Sequence, residues 1–204
     1  MKKLLLILIA FFAITFSFGQ EMYFQTGTNF NSYDFKSAAG PLSVPLQEKT
    51  GTTYEFGYKM PFRSSKFFYS IGLSLNEYNA ISGSVASNYT WNTTYIGLQN
   101  TFSRSIIKSK KVHLDGTIGL GLSTIIYGKQ QINNLVVDIK KADEFSGIFL
   151  TPTVGIQTKY KIKDIGFLSL GYTISKAVNP FNTSQNKLSY NTKQLLFGIH
   201  FNVN

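Results

Sequence analysis

No cysteine occurs in the 204 residues, which removes disulfides, thiol catalysis and a lipid-modified cysteine anchor from any account of this chain. Stability has to come from backbone pairing and packing. Histidine is scarce, with only His113 and His200, so a metal centre would need carboxylates gathered by the fold; neither a metal nor a cofactor is expected. Charged residues make up 15% of the chain, ten acidic against twenty Lys and Arg. After residue 20 no apolar run approaches the roughly 20 residues of a membrane-crossing helix, which excludes a helical membrane bundle. What is abundant is phenylalanine, tyrosine and β-branched side chains, while proline is rare, and this composition favours extended strands.

The first segment, MKKLLLILIAFFAITFSFGQ, has two lysines, an apolar run from Leu4 to Phe18, and small residues Ser17 and Gly19 ahead of Gln20. That is the layout of a secretory signal peptide, so residues 1–19 are expected to be removed and 20–204 to form one domain of an exported protein. Loss of Lys2 and Lys3 lowers the formal charge from +10 to +8. An exported chain meets little nucleic acid. Its basic excess points instead to outer-membrane lipid, lipopolysaccharide or an envelope protein as partner.

The stretch LDGTIGLGLSTIIYG, Leu114 to Gly128, carries glycines spaced G-x-x-G-x-G. A phosphate-cradling loop needs the order G-x-G-x-x-G followed by a helix start, and here a β-branched run follows instead. Split by parity, Leu114, Gly116, Ile118, Leu120 and Leu122 oppose Asp115, Thr117, Gly119, Gly121 and Ser123. One row is apolar and the other small and polar, the signature of a strand with two different environments. The same alternation recurs over Tyr23–Tyr33, Thr53–Phe62, Phe67–Asn76, Thr93–Phe102, Gly147–Tyr160, Phe167–Ser175 and Gln194–Asn204. Asn100 breaks it by falling on the apolar side, which implies a bulge or an interfacial position. Long connections (Asp34–Gly51, Asn79–Trp91, Lys129–Ser146, Lys176–Lys193) alternate with shorter ones centred on RSSK, SRSIIKSKK and KIKD, as in a meander with two unlike ends.

The polar row decides which face points outward. A soluble barrel would carry many charges there for solubility. This row is mainly Gly, Ser, Thr, Asn and Gln, with Glu55, Lys59, Asp115 and Lys159 as its charges. It suits a narrow interior filled by its own side chains, and the apolar row then faces lipid. The expected fold is all-β, an eight-stranded antiparallel up-and-down transmembrane β-barrel with a plugged lumen. Gly57, Gly72, Gly97, Gly119, Gly121, Gly155 and Gly171 share the inward parity and make room for longer neighbours. Tyr54, Tyr58, Tyr69, Tyr160, Tyr172 and Phe201 face outward as candidates for the aromatic belts.

On TGTNFNSYDF (Thr26 to Phe35), TYIGLQNTF (Thr94 to Phe102), LSLGYTIS (Leu168 to Ser175) and the aromatic last strand, the sequence resembles the small outer-membrane β-barrels of Gram-negative bacteria, the OmpX-like class. It resembles more closely the outer membrane protein beta-barrel family that includes PorT-like proteins. The resemblance implies the cell outer membrane as location and assembly by the barrel insertion machinery, which reads an aromatic final strand. The chain departs from that pattern by ending on Asn204.

Some eight-stranded barrels modify lipids, so the histidines matter. His113 and His200 both fall on the inward parity near one end, and with Asp115, Asn202 and a serine could form a hydrolytic group. No serine motif or oxyanion feature accompanies them, so the favoured reading is a polar plug of Glu55, Lys59, His113, Asp115, Lys159 and His200, salt-bridged around Asp115. Arg63, Lys66, Arg104, Lys108, Lys110, Lys111, Lys161 and Lys163 lie in or beside the short connections and form a basic rim. The expected function is non-enzymatic, structural or through contact with partners, by a monomeric barrel. The alternatives are an accessory barrel of a secretion or gliding apparatus, on the PorT-like resemblance, and a lipid-modifying enzyme.

Overall fold

A computed structural model of the chain describes residues 20–36, 46–62, 64–84, 87–132, 135–163, 165–184 and 186–203; the expected signal segment, Arg63 and Asn204 lie outside them. The strands are β1 (Gln20–Lys36), β2 (Gln47–Phe62), β3 (Ser64–Ser84), β4 (Ser87–Lys108), β5 (Val112–Ile132), β6 (Leu135–Asp138), β7 (Phe149–Ile162), β8 (Gly166–Val178) and β9 (Lys187–Val203). Eight of them close an antiparallel ring, each beside its neighbour in sequence, with β9 returning to β1. Strand β6 is an addition to that ring, hairpinned onto the far end of β5 from Lys129↔Asp138 to Ile132↔Leu135.

Closure is complete along β1, where Gln20↔Val203 through Lys36↔Lys187 engages all 17 residues. Following partners round the ring from Glu21 through Lys59, Ser70, Thr101, Gly119, Thr153, Ser175 and Thr192 returns to Asn31, ten residues further along β1. A shear of ten in eight strands tilts them by about 40° and leaves an interior that side chains fill. Outward residues form a continuous apolar band, with Phe56, Leu73, Ile118, Val154, Leu170 and Phe197 all more than half exposed. Charged Arg104 marks its short-turn edge, and Lys176 and Lys193 its other edge.

The strands are longer than the alternation indicates. The stretch Asn79–Trp91, expected as a long connection, is largely the continuation of β3 and β4, paired Asn79↔Asn92 through Ser84↔Ser87. Likewise β4 runs to Lys108, so the connection to β5 is only residues 109–111. Beyond the hydrocarbon the outward face of a strand can be polar, so pairing continues where the outward apolar row stops. Tyr172 sits between Leu170 and Ile174 and opposite Ile156 and Leu195, in the middle of the apolar band, so it is no belt residue. The break at Asn100 has a local cause: its Oδ1 accepts the Tyr69 hydroxyl at 2.6 Å from the neighbouring strand. The ladder is regular there; the bulges of β4 and β5 lie at Thr94/Tyr95 and Ser105/Ile107.

The interior is layered. At the long-loop end an aromatic core fills the ring, with Tyr33, Tyr78, Trp91, Tyr95, Phe145, Phe149 and Tyr190 packed together. Rings meet at 4.4 Å (Tyr78–Tyr190), 5.1 Å (Trp91–Phe145) and 5.4 Å (Tyr95–Phe149). Below it lies a tier of amides and hydroxyls around a cavity of about 90 Å³. Asn29 Nδ2 there bridges the carbonyls of Thr52 (3.1 Å) and Glu77 (3.0 Å), while Gln194 Nε2 donates to Asn29 Oδ1 (2.8 Å). Trp91, the chain's only tryptophan, is 6% exposed within the aromatic core. Trp91→Ala should therefore lower unfolding stability in detergent micelles by about 3 kcal/mol, read from urea titration followed by circular dichroism.

Candidate functional site: the ionic layer of the lumen

The short-turn end of the lumen is closed by charge. Inward alternation along β2, β5 and β7 puts Lys59, Asp115 and Lys159 inside, and the ring's shear brings them to one level. Lys59 Nζ donates to Asp115 Oδ2 at 3.1 Å, and Lys159 Nζ lies 3.9 Å from the same oxygen. Lys159 also donates to both carboxylate oxygens of Glu21, at 3.0 Å each. Ser105 Oγ completes Asp115 by donating to Oδ1 at 2.7 Å. Asp115 is 0% and Lys159 1% exposed, so two cations and two carboxylates neutralise one another inside the protein. The ammonium groups rest on aromatic faces: Lys59 Nζ is 4.9 Å from the Phe68 ring and Lys159 Nζ 4.7 Å from that of Phe167.

His200 extends the layer. Its Nδ1 is 3.1 Å from Glu21 Oε2 and its Nε2 3.0 Å from Ser169 Oγ. With Glu21 held as an acceptor by Lys159, the proton belongs on Nδ1, and Nε2 is free to accept the Ser169 hydroxyl. Acid, imidazole and hydroxyl in that order are the arrangement that activates a serine nucleophile. Here Ser169 is 3% and His200 1% exposed, and both sit in regular ladder where backbone N–H groups are engaged in strand pairing. The same chain of bonds also simply fixes the imidazole. His113 is placed differently: its ring packs on Phe167 at 5.1 Å, below the layer, and it is only partly buried.

Glu55 stands apart from the cations. It accepts the Tyr23 hydroxyl at 2.6 Å, and the Tyr23 ring stacks on His200 at 5.4 Å. This pair fits because Gly57 and Gly72 face each other across β2 and β3. A Cβ at Gly57 would come within 2.5 Å of the Tyr23 ring, and one at Gly72 within 2.8 Å of Glu55 Oε1. The two glycines form the notch that holds the pair, a steric role that no side chain can share.

Glu21, Tyr23, Ser105 and Ser169 belong to the site although the sequence does not single them out. The signal for Glu21 and Tyr23 is the inward parity of Gln25 and Gly27 carried back toward Gln20, where the expected cleavage point obscures it. At the rim, Lys66, Arg104, Lys108, Lys110, Lys111, Lys161 and Lys163 all stand at or beside the short turns; Arg63 lies outside the described residues. No group of three or more His, Asp or Glu side chains suited to a metal occurs among the described residues.

No family model matches the chain, and no curated protein matches it in sequence. Solved structures of similar fold include the outer membrane protein OprG from Pseudomonas aeruginosa, with a TM-score of 0.46 and 12% identity, covering 91% of this chain and 98% of that one. Neisserial surface protein A aligns with a TM-score of 0.47 and 13% identity over 89% of this chain and 97% of that one. The outer membrane enzyme PagL aligns with a TM-score of 0.45 and 9% identity over 86% and 98%. The likeness is one of fold.

Removing one carboxylate from the layer leaves a buried ammonium short of its partner. Asp115→Asn should lower unfolding stability in micelles by about 3 kcal/mol. Asp138→Asn, an exposed position on β6, should change it by less than about 0.5 kcal/mol in the same urea titration.

Proposed function

We propose that the mature chain, residues 20–204 after loss of a 1–19 leader, is an integral outer-membrane barrel that works by what its rims present and not by catalysis. The observation that carries this reading is the placement of the two rows of side chains. Large apolar groups encircle the outside between charged edges, a band of the kind that hydrocarbon solvates. Exposure of so much apolar surface to water would be untenable for a soluble monomer. Among the described residues, the ionic layer fills the interior at one end and the aromatic core fills it at the other. The short-turn end, which is basic, faces the periplasm in this reading, and the extended β3–β4 and β5–β6 hairpins face outward. Partners are lipids of both leaflets and envelope proteins reached by those hairpins.

One arrangement favours a second reading, acyl hydrolysis by Ser169 with His200 as base and Glu21 as its orienting acid. Treatment of the folded protein with a fluorophosphonate should leave its mass unchanged. A stoichiometric adduct on Ser169, absent from Ser169→Ala, would replace the non-enzymatic reading with this one.

The membrane reading is tested with bilayers of brominated lipid. A tryptophan introduced by Leu73→Trp, at a position 60% exposed on the outer face, should be strongly quenched in a Trp91→Phe background. Wild-type Trp91 should keep its emission. An unquenched Leu73→Trp, together with wild-type protein that stays monodisperse without surfactant, would overturn the proposal.

A further inference from the structure

One side chain of the outer face suits hydrocarbon poorly. Along β4 the outward row runs Ile96, Leu98, Asn100, Phe102, Arg104, so a carboxamide interrupts an apolar run. Arg104 marks the short-turn edge of the band, and Asn100 stands four residues inside it. At about 3.3 Å per residue on a strand tilted by about 40°, that places Asn100 about 10 Å deep in a band roughly 25 Å tall. The ester groups of phospholipids lie at the margins of such a band, and at this depth the lipid offers acyl chain alone. The Tyr69 hydroxyl, donating to Asn100 Oδ1 at 2.6 Å, takes one lone pair of that oxygen and leaves the other open. Among the described residues no acceptor meets the two hydrogens of Nδ2. The side chain sits in a groove of about 760 Å³ on the outer wall, whose other lining includes Met60, Ile118, Leu120 and Leu122. Its short-turn wall is a row of rings, Phe102 packing on Tyr69 at 5.1 Å and on Phe62 at 5.8 Å.

These features define what covers the groove: an apolar surface that carries a hydrogen-bond acceptor near the middle of the bilayer. An acyl chain supplies the surface without the acceptor. A second copy of this chain supplies both, and symmetry sets the depth. Copies inserted in the same sense and related by a two-fold axis along the membrane normal hold every atom at the same level. A carboxamide is donor and acceptor at once, so each Asn100 Nδ2 donates to the lone pair left open on Oδ1 of the other copy. We propose that the outer face of β3, β4 and β5 is a self-association surface, on which two barrels join through a reciprocal pair of Asn100 hydrogen bonds enclosed by the walls of the groove. The inference rests on the membrane reading above, since in water Asn100 would need no partner. The single barrel expected from the sequence is then the form at high dilution in lipid.

Energy transfer in phosphatidylcholine vesicles tests it. Because the chain has no cysteine, Lys141→Cys, at an exposed position of the long-loop end, takes a single donor or acceptor dye in an otherwise wild-type background. Transfer between the two labelled populations should fall along a monomer–dimer curve as lipid is added. Asn100→Leu combined with Tyr69→Phe removes the carboxamide and the hydroxyl it would orphan, so the barrel should fold as before by circular dichroism. Its half-association point should move to a protein-to-lipid ratio higher by on the order of tenfold. Tyr69→Phe alone, which leaves both lone pairs of Asn100 Oδ1 open, should associate at least as strongly as wild type. Phe197→Ala on β9, across the ring, should leave the curve in place. Wild-type transfer no greater than random proximity predicts, a double variant that follows the wild-type curve, or Tyr69→Phe alone as dissociated as the double variant would each overturn the self-association surface. Failure of the membrane reading looks different, since the protein would then not float with the vesicles at all.

Discussion

Everything in this structure depends on the obligation of each strand to find a partner on both sides. A strand in hydrocarbon has no water to bond its N–H and C=O groups, so a sheet there has to close. The β1–β9 ladder meets that obligation over the whole of β1. Closure with a shear of ten then dictates the rest: the tilt, the width of the lumen, and which inward residues share a level. Lys59, Asp115 and Lys159 come from distant parts of the chain and meet because of that shear, not because of any local motif.

The lumen answers a second problem, how to fill a narrow tube whose wall is a backbone ladder. Three chemistries divide it. Ion pairs close one end, amides and hydroxyls surround a small cavity in the middle, and stacked rings close the other. Glycines occur where a large neighbour needs space, as Gly57 and Gly72 do beneath Tyr23 and Glu55. The ionic end is a weak source of net stability, because two charges taken out of water regain little more than they lost. A one-residue register slip would turn its lysines toward hydrocarbon, so the layer disfavours that slip.

Much of the architecture is legible in the sequence because lipid and lumen demand opposite side chains from alternate residues. That contrast marks eight strands and the inward parity of Glu55, Lys59, Asp115 and Lys159. It fails where the contrast inverts. In NEYNAISGS and SNYTWNTT the outward face turns polar while Tyr78, Ala80 and Trp91 face inward, so the extensions of β3 and β4 read as a loop although they pair without interruption. The aromatic core was hidden for another reason. Tyr78, Tyr95 and Tyr190 share inward parity on separate strands, but only the register tells that they lie at one height. Glu21 needed the strand to begin three residues before Tyr23's visible alternation would place it, at Gln20. Asn100 shows the limit from the other side, since its compensation by the Tyr69 hydroxyl lies on a different strand and leaves no local trace.

The pairing of first strand with last also has a consequence in time. Every other ladder joins neighbours along the chain and can zip as a hairpin, but this one joins residues separated by nearly the full length of the polypeptide. Until the final residues have been delivered, β1 is a bare edge offered to any passing strand. A chain cut short at β8 would be a gutter with two sticky margins, not a smaller cylinder. Only the arrival of β9 removes both margins at once, so the vulnerable interval lasts as long as the chain lacks its tail.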